Sequence, residues 1–277
     1  MIHPETHNLV VIEADHRTCG EAERQKIKNE MIEETKGEYA ELQESQVGTP
    51  RKDKGSWGSC IRVVEPIRLE TLEILELPPD EAAVSAAIVN FSVHGQSGGE
   101  LLLVVGTVKN YVLKPKSFTE CNINTYAFDP KTQKVILLHK TPVEDIPMCF
   151  APFKGKVLAG VGKTLRLYDL GKAKLLRKSE QRNFSCGINT INIYGDRIFL
   201  TDMSDSFHVL RYRAKESQFY EFADDVLPRW ITAACVLDYD TVIGADKFEN
   251  VFACRLPQSN YPCLEMTLTI IHVNNRC

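Results

Sequence analysis

Two cysteines never stand closer than nine residues in this 277-residue chain, so it has no CxxC pair of the kind that holds zinc. The nine cysteines are odd in number and widely scattered, with Cys149, Cys235 and Cys254 inside apolar runs. That pattern suits reduced, buried thiols in an intracellular protein better than a disulfide scaffold. No apolar run approaches the length of a membrane span, and the opening MIHPETHNLVVIEADH lacks a basic stretch followed by a long apolar segment. A soluble, non-secreted chain without a membrane partner is expected. An excess of positive charge is missing too. The formal net charge of −4 denies the surface as a whole a field attractive to phosphate backbones and leaves room only for a local basic patch.

Neither GxSxG nor a Cys/His pairing of useful spacing occurs, which removes the usual starting points for nucleophilic catalysis. GVGKT at 160–164 invites comparison with a phosphate loop, which needs a glycine five places before its Gly-Lys. That place holds Val157, and no helix signal follows. The spacing instead predicts a hairpin: a strand from Lys156 to Val161, a Gly162-Lys163 turn, and a return strand from Thr164 to Leu170.

The same order of parts recurs. One copy runs from Met148 to Lys178, a second from Ile188 to Phe222 with turns at Gly195-Asp196 and Asp205-Ser206, and a third from Ile231 to Leu256 with turns at Asp238 to Asp240 and Asp246-Lys247. Turn-to-turn spacing is 40 residues from Gly155 to Gly195 and 44 from Gly195 to Tyr239, the length of one four-stranded propeller blade. A fourth unit lies between Ala82 and Lys140, stretched by a polar loop around His94 to Gly99. HNLVVIE, SCIRVVEP and TLEILELP supply three strands of a fifth. The fold class expected is all-β, a partial β-propeller of about five four-stranded, WD40-like blades.

One stretch departs from this pattern. Between Glu21 and Glu44 stand eight glutamates with few large apolar residues, too little apolar area to offset chain entropy. The organisation expected is a first propeller strand in 1–16, a charged insertion in 17–56 that is disordered or partly helical, blades in 57–257, and a divergent tail in 258–277.

His3, His7 and His16 come nearest to a metal cluster, but the strand-like VVIE between them does not aim three side chains at one point. No metal site is assigned, and His139 and His208 read as hydrogen-bonded structural imidazoles. Asp224, Asp225, Asp238, Asp240 and Asp246 could form an acid/base pair in a propeller channel, yet all fall where turns place aspartates to cap backbone N–H groups. No catalytic or cofactor-binding residue is assigned. In FADDVLPRWITA, Arg229 and Trp230 are residue types enriched at binding hot spots, and Pro228 stiffens the approach to them. They are the partner-contact candidates. The competing reading pairs Arg229 with Asp224 or Asp225 and packs Trp230 between sheets.

HPETHNLVVIEADH, HKTPVEDIP, APFKGKVLAGVGKTLRLYDLGKAKLLRK, FADDVLPRWIT and LDYDTVIGADKF together resemble a known family. It comprises the large multi-propeller subunits of the spliceosomal SF3b complex, the damaged-DNA-binding complex and the cleavage and polyadenylation specificity factor. The resemblance covers roughly Ile2 to Pro257 apart from the insertion, in the carboxy-terminal half of such proteins, and the third and fifth segments favour the splicing branch. It implies a nuclear, non-enzymatic scaffold without cofactor or small-molecule substrate, acting at branch-site recognition in the U2 small nuclear ribonucleoprotein. The implied partners are helical-repeat and small subunits of the SF3b complex, with RNA contact indirect or local at most. The damaged-DNA-binding branch would imply a ubiquitin-ligase adaptor instead, and a propeller hydrolase using channel carboxylates is the alternative of another class. Set against the family, the chain reads as a fragment whose text after Pro257 diverges. With about five blades where the family uses seven, an isolated chain is expected to leave sheet edges unpaired and to be prone to association.

Overall fold

The computed structural model describes residues 1–18, 21–38, 56–92, 99–129, 134–182, 184–225, 227–256, 264–265 and 267–271. Residues 39–55 of the expected insertion, the polar loop from His94, and most of the tail after Pro257 lie outside them. Two compact units emerge: residues 1–83 with 108–120, and residues 84–107 with 121–277.

The first unit is built on β1 (Leu9–Thr18), β2 (Ser56–Glu65) and β3 (Glu70–Glu76), an antiparallel sheet in that order. Alternation along β2 sends Ser59, Ile61 and Val63 inward, and the register sets Val63 against Val10 and Ile61 against Ile12. Arg62 takes the opposite face, where its Nε donates to Glu13 at 2.6 Å. Between β1 and β2 runs α1 (Glu21–Glu34). None of its described side chains is buried, and a Lys26–Glu30 pair at 3.8 Å spans one turn. The helix ends at Gly37, whose φ of +96° suits a glycine and whose N–H reaches back to Ile32 at 2.9 Å.

The second unit holds four sheets, although the outermost residues of β4, β5 and β6 fall within the first unit's ranges. In chain order they are β4 (Glu81–Phe91), β5 (Glu100–Lys109), β6 (Glu120–Phe128) and β7 (Val135–Val143); β8 (Pro147–Phe153), β9 (Lys156–Val161), β10 (Thr164–Asp169) and β11 (Leu176–Gln181); β12 (Ile188–Tyr194), β13 (Arg197–Asp202), β14 (Phe207–Arg213) and β15 (Gln218–Asp224); and β16 (Ile231–Val236), β17 (Thr241–Asp246) and β18 (Val251–Arg255). Each is an antiparallel meander. From the tail, β19 (Leu264–Glu265) adds in parallel to β15, and β20 (Thr267–Ile271) supplies the fourth strand beside β18.

These sheets pack face to face in chain order, as propeller blades do. Val89, Leu102 and Ile123 of the β4–β7 sheet meet Val157, Ala159 and Val161 of β9. From the other side of β9, Leu158 joins Leu165 and Leu167 against Ile188, Ile198 and Leu200. Phe199, Phe207 and Val209 then meet Ile231, Val242 and Phe252. Strands β9, β10 and β13 are consequently buried on both faces at nearly every residue. Their apolar content reflects this sandwiching.

The GVGKT segment is the hairpin between β9 and β10, with Thr164 opposite Val161. Gly162 has φ +53°, and a Cβ there would collide with the Asp145 carboxylate. Its N–H and C=O are both engaged, to Ile146 and Ile188 at 2.9 Å each, so the backbone groups a phosphate would need are used in packing. The meanders leave every sheet with two ends. The hairpin end carries the first and third turns of each sheet, and the connector end carries the second turn and the link to the next sheet. At the connector end each turn docks on a link: Met203 N–H to Gly187 at 3.2 Å repeats the pattern, and so does Lys247 N–H to Trp230 at 3.1 Å.

Candidate functional site

The connector end of the last two sheets gathers the sequence candidates. As β15 ends, Asp225 turns inward and is buried. Its Oδ2 accepts from Ser206 Oγ at 2.6 Å and pairs with the Arg229 guanidinium, while Oδ1 accepts the Leu227 N–H at 3.2 Å. The Arg229 guanidinium also lies 4.4 Å from the Phe252 ring centroid, and its side chain is only 11% exposed. Arg229 therefore pairs with Asp225 and not Asp224, and pins the link from inside.

Trp230, one residue on, points the other way and is 50% exposed, not packed between sheets. The Lys247 ammonium sits over its indole, 2.8 Å from the ring centroid, and 5.0 Å from the Phe248 ring. Phe248 is 64% exposed and Leu227 48%. The Phe248 turn is held by Asp246, whose carboxylate accepts the N–H groups of Phe248 at 2.8 Å and Asn250 at 3.0 Å and the Asn250 amide at 2.9 Å. Burial works against the Asp246 charge, but these donors outweigh it and hold the carboxyl below the usual range. The result is an apolar and aromatic patch on two tightly held loops.

Chemistry at this end is confined by the same pairings. Burial, then the Asp225 charge, pushes the Cys254 thiol up to about 12, far from a nucleophilic thiolate. Asp238 and Asp240 lie at the hairpin end, where Asp238 accepts the Asp240 N–H at 2.8 Å and Asp240 pairs with Arg197. The β strands thus separate them from Asp225 and Asp246. Of the histidines, His3 is buried and its Nδ1 accepts the Thr6 N–H at 3.1 Å. His208 has Nδ1 2.6 Å from Glu221 and Nε2 3.7 Å from Asp202.

Leu227, Lys247 and Phe248 were not singled out by sequence reading. A usable signal was present in the repeated turn aspartates: Asp202 caps Ser204 and Asp205 just as Asp246 caps Phe248 and Asn250 in the next sheet. Aligning those caps would have set the Lys247 turn against the Trp230 link.

Residues 58–264 match the family described as the CPSF A subunit region. The chain belongs to that family. Among proteins similar to this CPSF A subunit region chain, splicing factor 3B subunit 3 of Danio rerio is 42% identical over 274 residues, covering 93% of this chain and 22% of the relative. Pre-mRNA-splicing factor RSE1 of Mycosarcoma maydis is 38% identical over 277 residues, covering 98% and 22%. Probable splicing factor 3B subunit 3 of Dictyostelium discoideum is 46% identical over 208 residues, covering 75% and 16%. The chain spans about a fifth of the length of the curated relatives it matches.

Proposed function

We propose that this chain is a non-enzymatic interaction platform of the pre-mRNA splicing machinery, working in the nucleus within the U2 small nuclear ribonucleoprotein at branch-site recognition. Its partners are the helical-repeat and small subunits of the complex from which splicing factor 3B subunit 3 takes its name. The observation that carries the reading is the exposed Leu227, Trp230 and Phe248 patch on loops pinned from within by Asp225, Arg229 and Asp246. Rigid display of a half-exposed tryptophan is how a binding surface gains affinity, since little freedom remains to be lost when a partner covers it. The names of the relatives supply the process, and Asp225, Asp238, Asp240 and Asp246 are each engaged in an ion pair or a turn cap.

Tagged protein added to nuclear extract, recovered and compared with a Trp230→Ala, Phe248→Ser variant, tests this reading. Splicing factor 3B subunits should copurify with the parent chain and fall about tenfold or more with the variant, a loss matching a hot-spot tryptophan. Recovery of a cullin in their place would move the assignment to a ubiquitin-ligase adaptor.

A further inference from the structure

The Trp230 patch already carries a cation of the chain's own. The Lys247 ammonium lies 2.8 Å from the centroid of the indole and 5.0 Å from that of Phe248, so one charge touches two rings. Contact with the negative face of a ring is how aromatic surfaces recognise cations. Among the described residues Lys247 is joined to no carboxylate. Its side chain is also not needed to mount the site. The Lys247 N–H holds the turn to the Trp230 carbonyl at 3.1 Å, Asp246 caps the turn through Phe248 and Asn250, and Asp225 and Arg229 pin the link. All of these bonds survive if the ammonium swings away. Leaving the ring costs little, since an exposed cation–π contact shifts an equilibrium by only about two- to fivefold. A displaceable cation over a half-exposed tryptophan acts as a placeholder and not as a brace.

The charges of this link and turn favour a cation as well. Glu249 in the same turn and Asp224 at the end of β15 are exposed, and among the described residues neither has an ion-pair partner. Arg229, the other cation here, is neutralised by Asp225. An incoming carboxylate would meet Asp224, Asp246 and Glu249, all of its own sign, whereas an incoming cation meets two rings and those same carboxylates. Of the two permanently cationic side chains arginine suits the place better. Its planar guanidinium stacks on an aromatic face, is more weakly hydrated than an ammonium, and keeps further N–H donors for a carboxylate.

We propose that the patch of Trp230 and Phe248 is a seat for a cationic side chain, and that a partner docks by laying an arginine on the Trp230 ring in the place Lys247 now fills. Such recognition rests on the patch being a partner-binding surface and adds which side chain it selects. Lys247 is then an internal competitor: it covers the indole in the unbound chain and sets a threshold that only a better-fitting cation passes.

NMR titration of the full chain tests the assignment through the Trp230 indole and Phe248 backbone N–H signals. The chain has two tryptophans, and Trp57→Phe tells their indole signals apart. An acetylated and amidated Gly-Gly-Arg-Gly-Gly peptide should shift both reporters. The same peptide with citrulline, which keeps the planar shape and loses the charge, should bind about fivefold more weakly. Lys247→Ala removes the internal competitor and should tighten the arginine peptide about two- to fivefold. Trp230→Leu keeps an apolar surface without a ring, and should erase the preference for arginine over citrulline as read at Phe248. Lys163→Ala, on the second turn of the β8–β11 sheet, should bind as the parent does. Equal affinity for the two peptides would overturn the proposal, and so would a preference that persists in Trp230→Leu, because attraction by Asp224 and Glu249 alone would then explain it. Tighter binding of a Gly-Gly-Glu-Gly-Gly peptide would also overturn it and assign Lys247 to a partner's carboxylate. Loss of splicing factor 3B subunits from the Trp230→Ala, Phe248→Ser variant, together with equal binding of the two peptides, would keep the platform and discard the arginine. Circular dichroism of each variant separates lost binding from lost folding.

Discussion

The sheet β12–β15 and the sheet β1–β3 are written in the same idiom of short alternating strands and tight turns, yet they bury very different fractions of themselves. In β13 Ile198, Phe199 and Leu200 are all sealed, because neighbouring sheets pack on both faces. In β3 Leu72 and Ile74 remain 46% and 49% exposed, and Ile67 and Leu69 just before it are more open still. Ionic pairs divide in the same way. Arg229 and Asp225 are nearly sealed, whereas the Arg62 and Glu13 side chains are 31% and 45% exposed. An apolar residue in a strand stabilises only when something lies across it, and an ion pair is critical only where water is excluded.

Three perturbations test that contrast. The largest effect is expected from Phe199→Ala, which empties a fully packed position and should lower stability by about 3–5 kcal/mol in urea titration, against about 1 kcal/mol for Ile74→Ala. Equal losses would show that the β1–β3 sheet is covered in solution. Next, Arg229→Ala leaves the Asp225 carboxylate buried and unpaired and should cost about 3 kcal/mol, whereas Arg62→Ala should cost no more than about 1 kcal/mol. Restoring the loss with an additional Asp225→Asn exchange would confirm that the stranded charge is responsible.

The third test is a pH dependence. Burial alone would lower the His208 pKa, but the Asp202 and Glu221 carboxylates reverse this and raise it to about 9. The folded protein then holds a proton that the unfolded chain gives up near the ordinary value of about 6.5. This stabilisation is complete below about pH 6.5 and fades as pH rises through about 9. Urea midpoints should decline over that window, and His208→Gln should abolish the decline. In the first unit His3 has the opposite sign, its pKa lowered by burial despite the Glu5 charge. Its contribution is complete above about pH 6.5 and fades in acid, so a His3→Gln variant should leave the alkaline decline intact.

Much of the architecture was legible because its causes are local. Gly162-Lys163, Gly195-Asp196 and Asp205-Ser206 stand at turns, with positive φ at Gly162, Gly195 and Ser206, and the residues on either side alternate or run apolar as strands do. The three strands of the first sheet were recognisable on either side of the charged insertion, whose amino-terminal part is α1. The candidate site was only half legible. Arg229 and Trp230 stood out together by residue type, but the chain carries no mark saying that one is an internal brace and the other an outward contact.

Sequence alone determined most of the turns that separate strands, the blade-length repeat, and the all-β class, since turn chemistry and alternation act over a few residues. Tertiary structure decided the roles of individual side chains. Arg229 is buried because Asp225 at the end of β15 and Phe252 and Cys254 of β18 converge on it, while Trp230 stays half-exposed with the Lys247 ammonium over its ring. The contacts with β18 and Lys247 join residues well apart in the chain, and burial, which sets the strength of every charge and ring, exists only once they have met.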